Sequence, residues 1–242
     1  MAFLALQDSL TSLETALERL TGDSAAAGLF RLGQLKGRAL SFMEPRGPGR
    51  QYALAHPNEY RGNEVAGNFT YTGAQWHALL TRFPDSPFAD DAAWALANLG
   101  QGGECEHSLA CFLDVGIMPY ARFLESFPTS TYADSAAAKA NERLKTVLAA
   151  LDPDSLRQWS FDLEPTLVDS VLARYEAVVP TLTMPYRGAG LRLTAQFRSR
   201  LAELQGKAGP PCRRYSLLSA TAPARTLRVI RRTRRTRSKR SS

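Results

Sequence analysis

Two similar stretches decide the fold of this chain: residues 76–92 read WHALLTRFPDSPFADDA, and residues 120–136 read YARFLESFPTSTYADSA. The copies lie 44 positions apart and share, in register, an aromatic residue, an apolar pair, Phe-Pro, Ser, a second aromatic residue, Ala-Asp and Ala. A supersecondary unit copied in tandem usually cannot bury its apolar face alone, so neighbouring copies stack on each other. The repetition therefore predicts an all-α fold built as a helical-repeat array.

In the first copy, Phe-Pro predicts a turn between two helices. The first helix is predicted over Gly73–Phe83, and Pro84 lies in the turn. Ser86 has the side chain of a typical N-cap, and Pro87 suits the first helical position. We therefore expect the second helix of this copy to begin at Pro87, with Ser86 as its N-cap.

The second copy predicts the same arrangement. Its first helix is predicted over Pro119–Phe127, and Ser130 is expected to cap a second helix that runs over Thr131–Ala150. The spacing between the copies leaves room for an insertion at 100–117.

The repeated run resembles the tetratricopeptide-like repeats of bacterial envelope proteins, such as the outer-membrane-assembly lipoproteins and the periplasmic coordinator of the Tol–Pal system. In those families the Phe-Pro-x-Ser stretch is the turn between the A and B helices. The resemblance covers about residues 73–147, and the spacing exceeds the usual repeat of about 34 residues. It implies a tetratricopeptide-like fold for the middle of the chain and does not specify a function.

The amino-terminal residues 2–20 are predicted to form a helix with a narrow apolar stripe. Its members follow a 3-4 spacing: Phe3, Leu6, Leu10, Leu13, Leu17 and Leu20. Two interpretations remain open, because such a stripe suits either docking on the rest of the chain or self-association through a coiled coil. The next helix, which is predicted to end near Phe42, contains glycines that would permit close helix approach: Gly28, Gly33 and Gly37.

The remaining chain carries weaker patterns. Asp152-Pro153 is expected to start a further helical region, and a final helix is predicted over Leu191–Gln205, with Phe197, Leu201 and Leu204 facing inward. One helical face between them comprises Leu167, Val168, Val171, Leu172, Tyr175 and Val179. These patterns divide the chain into an N-terminal helical pair (1–50), an irregular segment with tyrosine and phenylalanine anchors (51–72), two tetratricopeptide-like repeats (73–150), C-terminal helices (151–206) and a disordered Arg-rich tail (207–242).

Charge is distributed unevenly. From Leu204 to Ser242 there are twelve Lys or Arg residues and no acidic residue, so the rest of the chain carries 7 − 12 = −5. Such a tail binds polyanions through counterion release, and nucleic acid and anionic lipid suit it equally; the alternative is an incidental solvated tail. The candidate contacts are Arg228, Arg231, Arg232, Arg234, Arg235, Arg237, Lys239 and Arg240.

The three cysteines leave two possibilities. Cys105 and Cys111 are close enough for a local disulfide in an oxidising compartment, with Cys212 unpaired, whereas a reducing compartment would keep three free thiols. A structural zinc site usually needs four ligands. Cys105, Cys111 and the nearby His107 have no second Cys/His pair at compact spacing, so we predict no metal site.

No catalytic or cofactor motif is apparent. Gly-x-Ser-x-Gly does not occur, and Gly100-Gln101-Gly102-Gly103 has neither the Walker lysine nor a preceding strand. We therefore predict a non-catalytic protein-interaction or scaffolding protein without a cofactor, whose protein partner is unknown. The alternative function is association with nucleic acid or an anionic membrane through the tail.

The amino terminus also bears on localisation. Met1–Leu10 has no basic region ahead of its apolar residues, and no apolar run approaches the roughly 20 residues that span a bilayer. We therefore expect a cytoplasmic protein, or a periplasmic one if the true start lies upstream.

Overall fold

The computed structural model describes residues 2–42, 47–63, 68–99, 105, 107–152 and 162–207. Most of these residues are helical, which confirms the all-α prediction. The helices are α1 (Ala2–Leu17), α2 (Gly22–Ala39), α3 (Pro48–Ala55), α4 (Ala74–Arg82), α5 (Ala89–Asn98), α6 (Leu109–Ser126), α7 (Ala133–Ala150), α8 (Pro165–Val178) and α9 (Tyr186–Lys207). Short 3-10 turns follow α2 at Leu40–Phe42 and α8 at Val179–Thr181, and one antiparallel hairpin comprises β1 (Tyr60–Asn63) and β2 (Asn68–Tyr71).

Helices that are close in the chain are also neighbours in space. α1 packs on α2, α2 on α4, α4 on α5, α5 on α6, and α6 on α7. Farther along, α8 packs on α6 and α9 packs on α7. The apolar residues of the described chain form one cluster around α6 to α9 and another that joins the hairpin to α1, α2, α4 and α5, and Phe127 contacts both.

Both copies of the repeated sequence form a helix, a turn and a second helix. The predicted caps were wrong by two residues, because the second helices are preceded by Phe88 and Tyr132 at the N-cap and begin at Ala89 and Ala133. Each serine closes a local turn instead: the hydroxyls of Ser86 and Ser130 accept hydrogen bonds from the backbone N–H two residues ahead, at 3.4 and 3.2 Å. Serine favours such turns as readily as it favours a cap.

The insertion expected at 100–117 requires correction. Helix α6 already begins at Leu109, with the hydroxyl of Ser108 accepting the N–H of Cys111 at 3.1 Å, and Pro119 lies inside it. A proline costs the helix one hydrogen bond. The buried side chains of Leu113 and Ile117 on the preceding turns offset that loss, since tertiary burial contributes more to a helix than propensity does.

The segment 51–72, predicted to be irregular, contains the end of α3 and the hairpin. Tyr60 pairs with Tyr71 across the strands, and both side chains are buried. Each strand has only four residues, which is too short for alternation to stand out in the sequence. The aromatic residues of this segment do contact rings outside it: Tyr52 lies against Phe3 and Tyr71 against Trp76.

The apolar stripe of α1 packs on its own chain. Leu10 is 1% exposed and lies in one cluster with Leu32 and Leu35 of α2, while Leu6, Leu13 and Leu17 are partly buried against them. Of the two interpretations of the stripe, this is the one in which α1 docks on the rest of the chain. Self-association through Leu6, Leu10, Leu13, Leu17 and Leu20 stays a prediction.

The carboxyl-terminal helices follow the predicted faces with one exception. Val168, Leu172 and Tyr175 are fully buried, but Leu167 is 54% exposed and does not belong to the inward face. Helix α9 begins at Tyr186, five residues before the predicted start. The expected helix start at Asp152-Pro153 lies largely outside the described residues, as does the tail from 208 onward.

Two of the three glycines in α2 permit close packing. A Cβ on Gly28 would lie 2.6 Å from a methyl carbon of Leu17, and a Cβ on Gly33 would lie 2.3 Å from the indole nitrogen of Trp76. Trp76 is buried, and its Nε1 donates a hydrogen bond to the carbonyl oxygen of Phe30 at 3.2 Å. A Cβ on Gly37, in contrast, would find only an ordinary contact at 3.8 Å.

Gly33→Ala is therefore expected to lower the free energy of unfolding by about 1–2 kcal/mol, since overpacking costs up to about 3 kcal/mol and alanine returns only about 1 kcal/mol of helix propensity. Gly37→Ala is the matched control and should raise the free energy of unfolding by up to about 1 kcal/mol. Urea unfolding followed by circular dichroism measures both. Equal stability of the two variants would mean that Trp76 does not lie against α2.

Candidate functional site

An open groove of about 810 Å³ lies between the hairpin and helices α4, α5 and α6. Its floor is apolar and only partly buried, and it comprises Leu80, Ala93, Leu96, Leu99 and Phe127. The volume is within the range of about 300–1,000 Å³ that is typical of ligand sites. Both copies of the repeated motif contribute, since Leu80 belongs to the first copy and Phe127 to the second.

The rim of the groove carries the charged groups. Arg61 projects from β1, Arg122 from α6 and His77 from α4, and all three are exposed. Asp85, in the turn between α4 and α5, is the acidic residue among the described lining. The salt bridges of the described residues involve neither arginine.

The hairpin wall of the groove is tied to the N-terminal helices through a buried ammonium group. The side chain of Lys36 is 2% exposed, and its Nζ lies 2.5 Å from Glu59 Oε1 and 2.7 Å from Glu14 Oε1. Glu59 Oε1 also accepts a hydrogen bond from Gln75 Nε2 at 2.6 Å. This network therefore joins α1, α2, the residue before β1, and α4.

Tyrosines complete the network. The hydroxyl of Tyr60 donates to the carbonyl oxygen of Lys36 at 2.9 Å, and the hydroxyl of Tyr71 donates to Gln75 Oε1. Burial raises the pKa of both tyrosines well above the ordinary value. Burial alone would lower the pKa of Lys36, but the hydrogen bonds to Glu14 and Glu59 outweigh it and hold the pKa above 10.5.

These pKa shifts make the fold sensitive to alkali. The contribution of Lys36 is complete below its unfolded pKa of 10.5 and is lost as the pH rises through the higher folded value. Tyr60 and Tyr71 act in the same direction, because unfolded tyrosine ionises near pH 10 while the buried hydroxyls stay neutral. Urea unfolding between about pH 8 and about pH 11 should show a falling free energy of unfolding.

Lys36→Met tests the network directly at neutral pH. It is expected to lower the free energy of unfolding by about 1–3 kcal/mol, because the partly buried carboxylate of Glu59 loses its charged hydrogen-bond partner. Lys145→Met, at an exposed position of α7, should change it by less than about 0.5 kcal/mol. A Lys36→Met protein as stable as the Lys145→Met control would exclude a structural role for this ion pair.

The second helix of the first copy is joined to the second copy by contacts between residues of the motif itself. Asp90 Oδ2 accepts a hydrogen bond from the hydroxyl of Ser130 at 2.8 Å, and Asp91 Oδ1 accepts one from the hydroxyl of Tyr132 at 2.7 Å. The ring of Trp94 stacks on the ring of Tyr132 with centroids 5.2 Å apart. The repeated Ser, aromatic and Asp positions therefore hold the two helical pairs together.

A third helical pair continues this pattern: both of its helices were predicted, but not their likeness to the two copies. Helices α8 and α9 are joined through Val179-Pro180-Thr181, which parallels Phe127-Pro128-Thr129 in the turn between α6 and α7. Asp134, the counterpart of Asp90, accepts a hydrogen bond from the hydroxyl of Thr183 at 2.6 Å. The Pro-Thr dipeptide after a helical face was the available signal, but the aromatic residue and the Ala-Asp step are absent there.

The two nearby cysteines form a disulfide. Cys105 and Cys111 are bonded, with their Cα atoms 5.3 Å apart, at the start of α6. Next to them, Ser108 donates a hydrogen bond to the carboxylate of Glu164, and the backbones of Ser108 and Asp162 form a parallel bridge. The disulfide therefore lies where α6 meets the segment that leads into α8. No group of three or more His, Cys, Asp or Glu side chains suited to a metal occurs among the described residues.

Two other sequence predictions lie outside the part of the chain that the structure describes. All the candidate polyanion contacts, from Arg228 to Arg240, belong to the tail beyond residue 207. Cys212 lies in the same segment. The sequence predicted a helical binding surface but not the position or lining of this groove, because its walls come from the hairpin and from three helices that only the fold brings together.

No family model, no curated protein and no solved structure matches this chain. Among the described residues, no helix is both long enough and apolar enough to cross a membrane. What the protein does is therefore inferred from its own residues and their geometry.

Proposed function

We propose that this chain is a non-catalytic protein-interaction module, in which tetratricopeptide-like helical pairs present the groove to a segment of a partner protein. The observation that carries the proposal is the partly exposed apolar floor of the groove, which includes Leu80, Leu96 and Phe127. Ligand sites are typically concave and lined by apolar side chains. A bound ligand removes these side chains from water, and burial of their surface drives association.

The contacts of the repeated motif support a scaffolding role. Its carboxylates at Asp90, Asp91 and Asp134 accept hydrogen bonds from hydroxyls of the following helical pair. They hold neighbouring pairs in a fixed relation, and stacked helical pairs typically bind partners on the surface they create. In this proposal the motif builds the groove and the groove binds the partner.

Selection from a random peptide library displayed on phage tests the proposal with full-length protein. Peptides selected on the wild type should bind the Leu80→Gln variant about tenfold more weakly, because a contact of about 1.4 kcal/mol is lost. Leu167→Gln is the matched control, since Leu167 is exposed on α8, which does not line the groove. Thermal melts of both variants confirm that they are folded.

Two outcomes contradict the proposal. In one, no peptide is enriched over an unrelated protein. In the other, the enriched peptides bind both leucine variants as well as the wild type, which places their site elsewhere, including on the Arg-rich tail.

A second candidate function rests on the uneven charge. The segment from Leu204 to Ser242 carries twelve cations and no acidic residue, which favours nucleic acid or an anionic membrane surface. Removal of residues 208–242 should then abolish binding to DNA and to anionic vesicles together with its steep salt dependence. Retention of such binding by the shortened chain would exclude the tail as its source.

The disulfide also supports a proposal on localisation. Disulfides persist in oxidising compartments and are rare in a reducing cytoplasm. We therefore favour the periplasmic alternative over the cytoplasmic one. Cells are lysed in acid to stop thiol exchange, and the denatured protein is then alkylated at neutral pH. Alkylation should modify Cys212 alone, whereas modification of all three cysteines would favour the cytoplasm.

A further inference from the structure

We propose that the groove selects an acidic segment of its partner, in which Glu or Asp side chains flank apolar ones. This inference rests on the proposed function and adds the chemistry of the partner. It follows from the arrangement of charge around the apolar floor, which combines two exposed arginines with a single described carboxylate.

Arg61 is placed in the groove by the register of the hairpin. Tyr60 and Tyr71 pair across the strands and point into the core, so Arg61 and its partner Thr70 take the opposite face. That face forms a wall of the groove, and Arg61 is exposed there. The Lys36 network fixes this wall, because the hydroxyl of Tyr60 donates a hydrogen bond to the carbonyl oxygen of Lys36.

Arg122 supplies the second cation from a different element. On α6 the neighbouring Ala121 and Phe123 are buried, so Arg122 extends from the helix toward solvent beside the groove. Phe123 and Phe127 also line the groove. Arg122, like Arg61, takes part in no salt bridge with another described residue.

Two cations that form no salt bridge with another described residue, placed around an apolar floor, favour an anionic ligand. Charges that line a cleft with low-dielectric walls concentrate their field inside it, which raises the local concentration of opposite charge. Guanidinium groups also bind carboxylates in a bidentate geometry. Asp85, in the turn at one end, offsets only part of this positive charge.

The positive charge of the groove argues against the Arg-rich segment of this chain as its occupant. Residues 204–242 carry twelve cations without an acidic residue, so they are repelled by Arg61 and Arg122. The occupant to which the charge is complementary is an acidic, apolar segment of another protein.

The test uses the full chain and two synthetic peptides of about ten residues, which span about 33 Å when extended. One alternates Glu with Leu and Phe, and the other carries Lys in place of every Glu. Both contain fluorescein and a benzophenone cross-linker, so that affinity and the site of binding are measured on the same complex. The variants are Arg61→Glu with Arg122→Glu, and the matched control is Arg187→Glu with Arg192→Glu, two exposed arginines of α9.

The glutamate peptide should cross-link to residues 61–127 of the wild type and bind about tenfold more weakly to the groove variant than to the control. Its affinity should fall between about 0.1 M and about 1 M salt, where the Debye length drops from about 10 to about 3 Å. The lysine peptide should show the reverse preference and gain affinity for the groove variant. A gain of this kind cannot come from unfolding.

Other outcomes overturn the inference and separate it from the proposed function. Equal cross-linking of both peptides in the groove, with loss in Leu80→Gln, keeps the proposed function and removes the charge selectivity. Cross-links confined to 208–242, or to no groove residue with either peptide, contradict both. A wild type that sediments as a dimer and a groove variant that sediments as a monomer would make a second copy of this chain the occupant.

Discussion

The buried ion pair of Lys36 with Glu59 is the constraint on which the rest of the N-terminal half depends. A buried ammonium group is tolerated only where hydrogen bonds and opposite charge compensate for lost hydration. Lys36 and its two partners, Glu14 and Glu59, come from three different parts of the chain, so their positions are fixed together. Glu59, which binds Lys36, also accepts a hydrogen bond from Gln75 of α4, so this network holds the start of the hairpin against α4. The hairpin wall of the groove is positioned in the same way.

The successes and failures of sequence reasoning have physical causes that differ from element to element. The paired copies revealed α4 to α7 because turn, serine and aromatic residue recur at equal offsets. Helix α6 was shortened in prediction because Pro119 resembles a helix start, whereas burial of Leu113 and Ile117 carries the helix through it. The hairpin was not predicted because its strands have only four residues each. The pair of α8 and α9 was not recognised as similar to the two copies because only Pro-Thr remains of the motif.

The groove could not be predicted, although the residues that form it were visible. Leu80 and Phe127 belong to the repeated motif, and Arg61 lies in a segment in which the sequence shows no period. Neither the distance between these residues nor their exposure follows from their positions in the chain. Once the hairpin is placed beside α4, the same residues become the floor and the rim of one concavity.

The packing of each helix on its near neighbours in the chain also has a consequence for synthesis on the ribosome. Domains fold from the amino terminus as the chain emerges, and contacts between nearby segments form early. Helix α5 therefore meets α4 before α6 exists, and until then Trp94 faces water, since its ring partners are Phe123 of α6 and Tyr132, which precedes α7. A nascent chain that pauses after α5 presents an apolar face to every protein around it, and the speed with which α6 and α7 follow decides how long that exposure lasts.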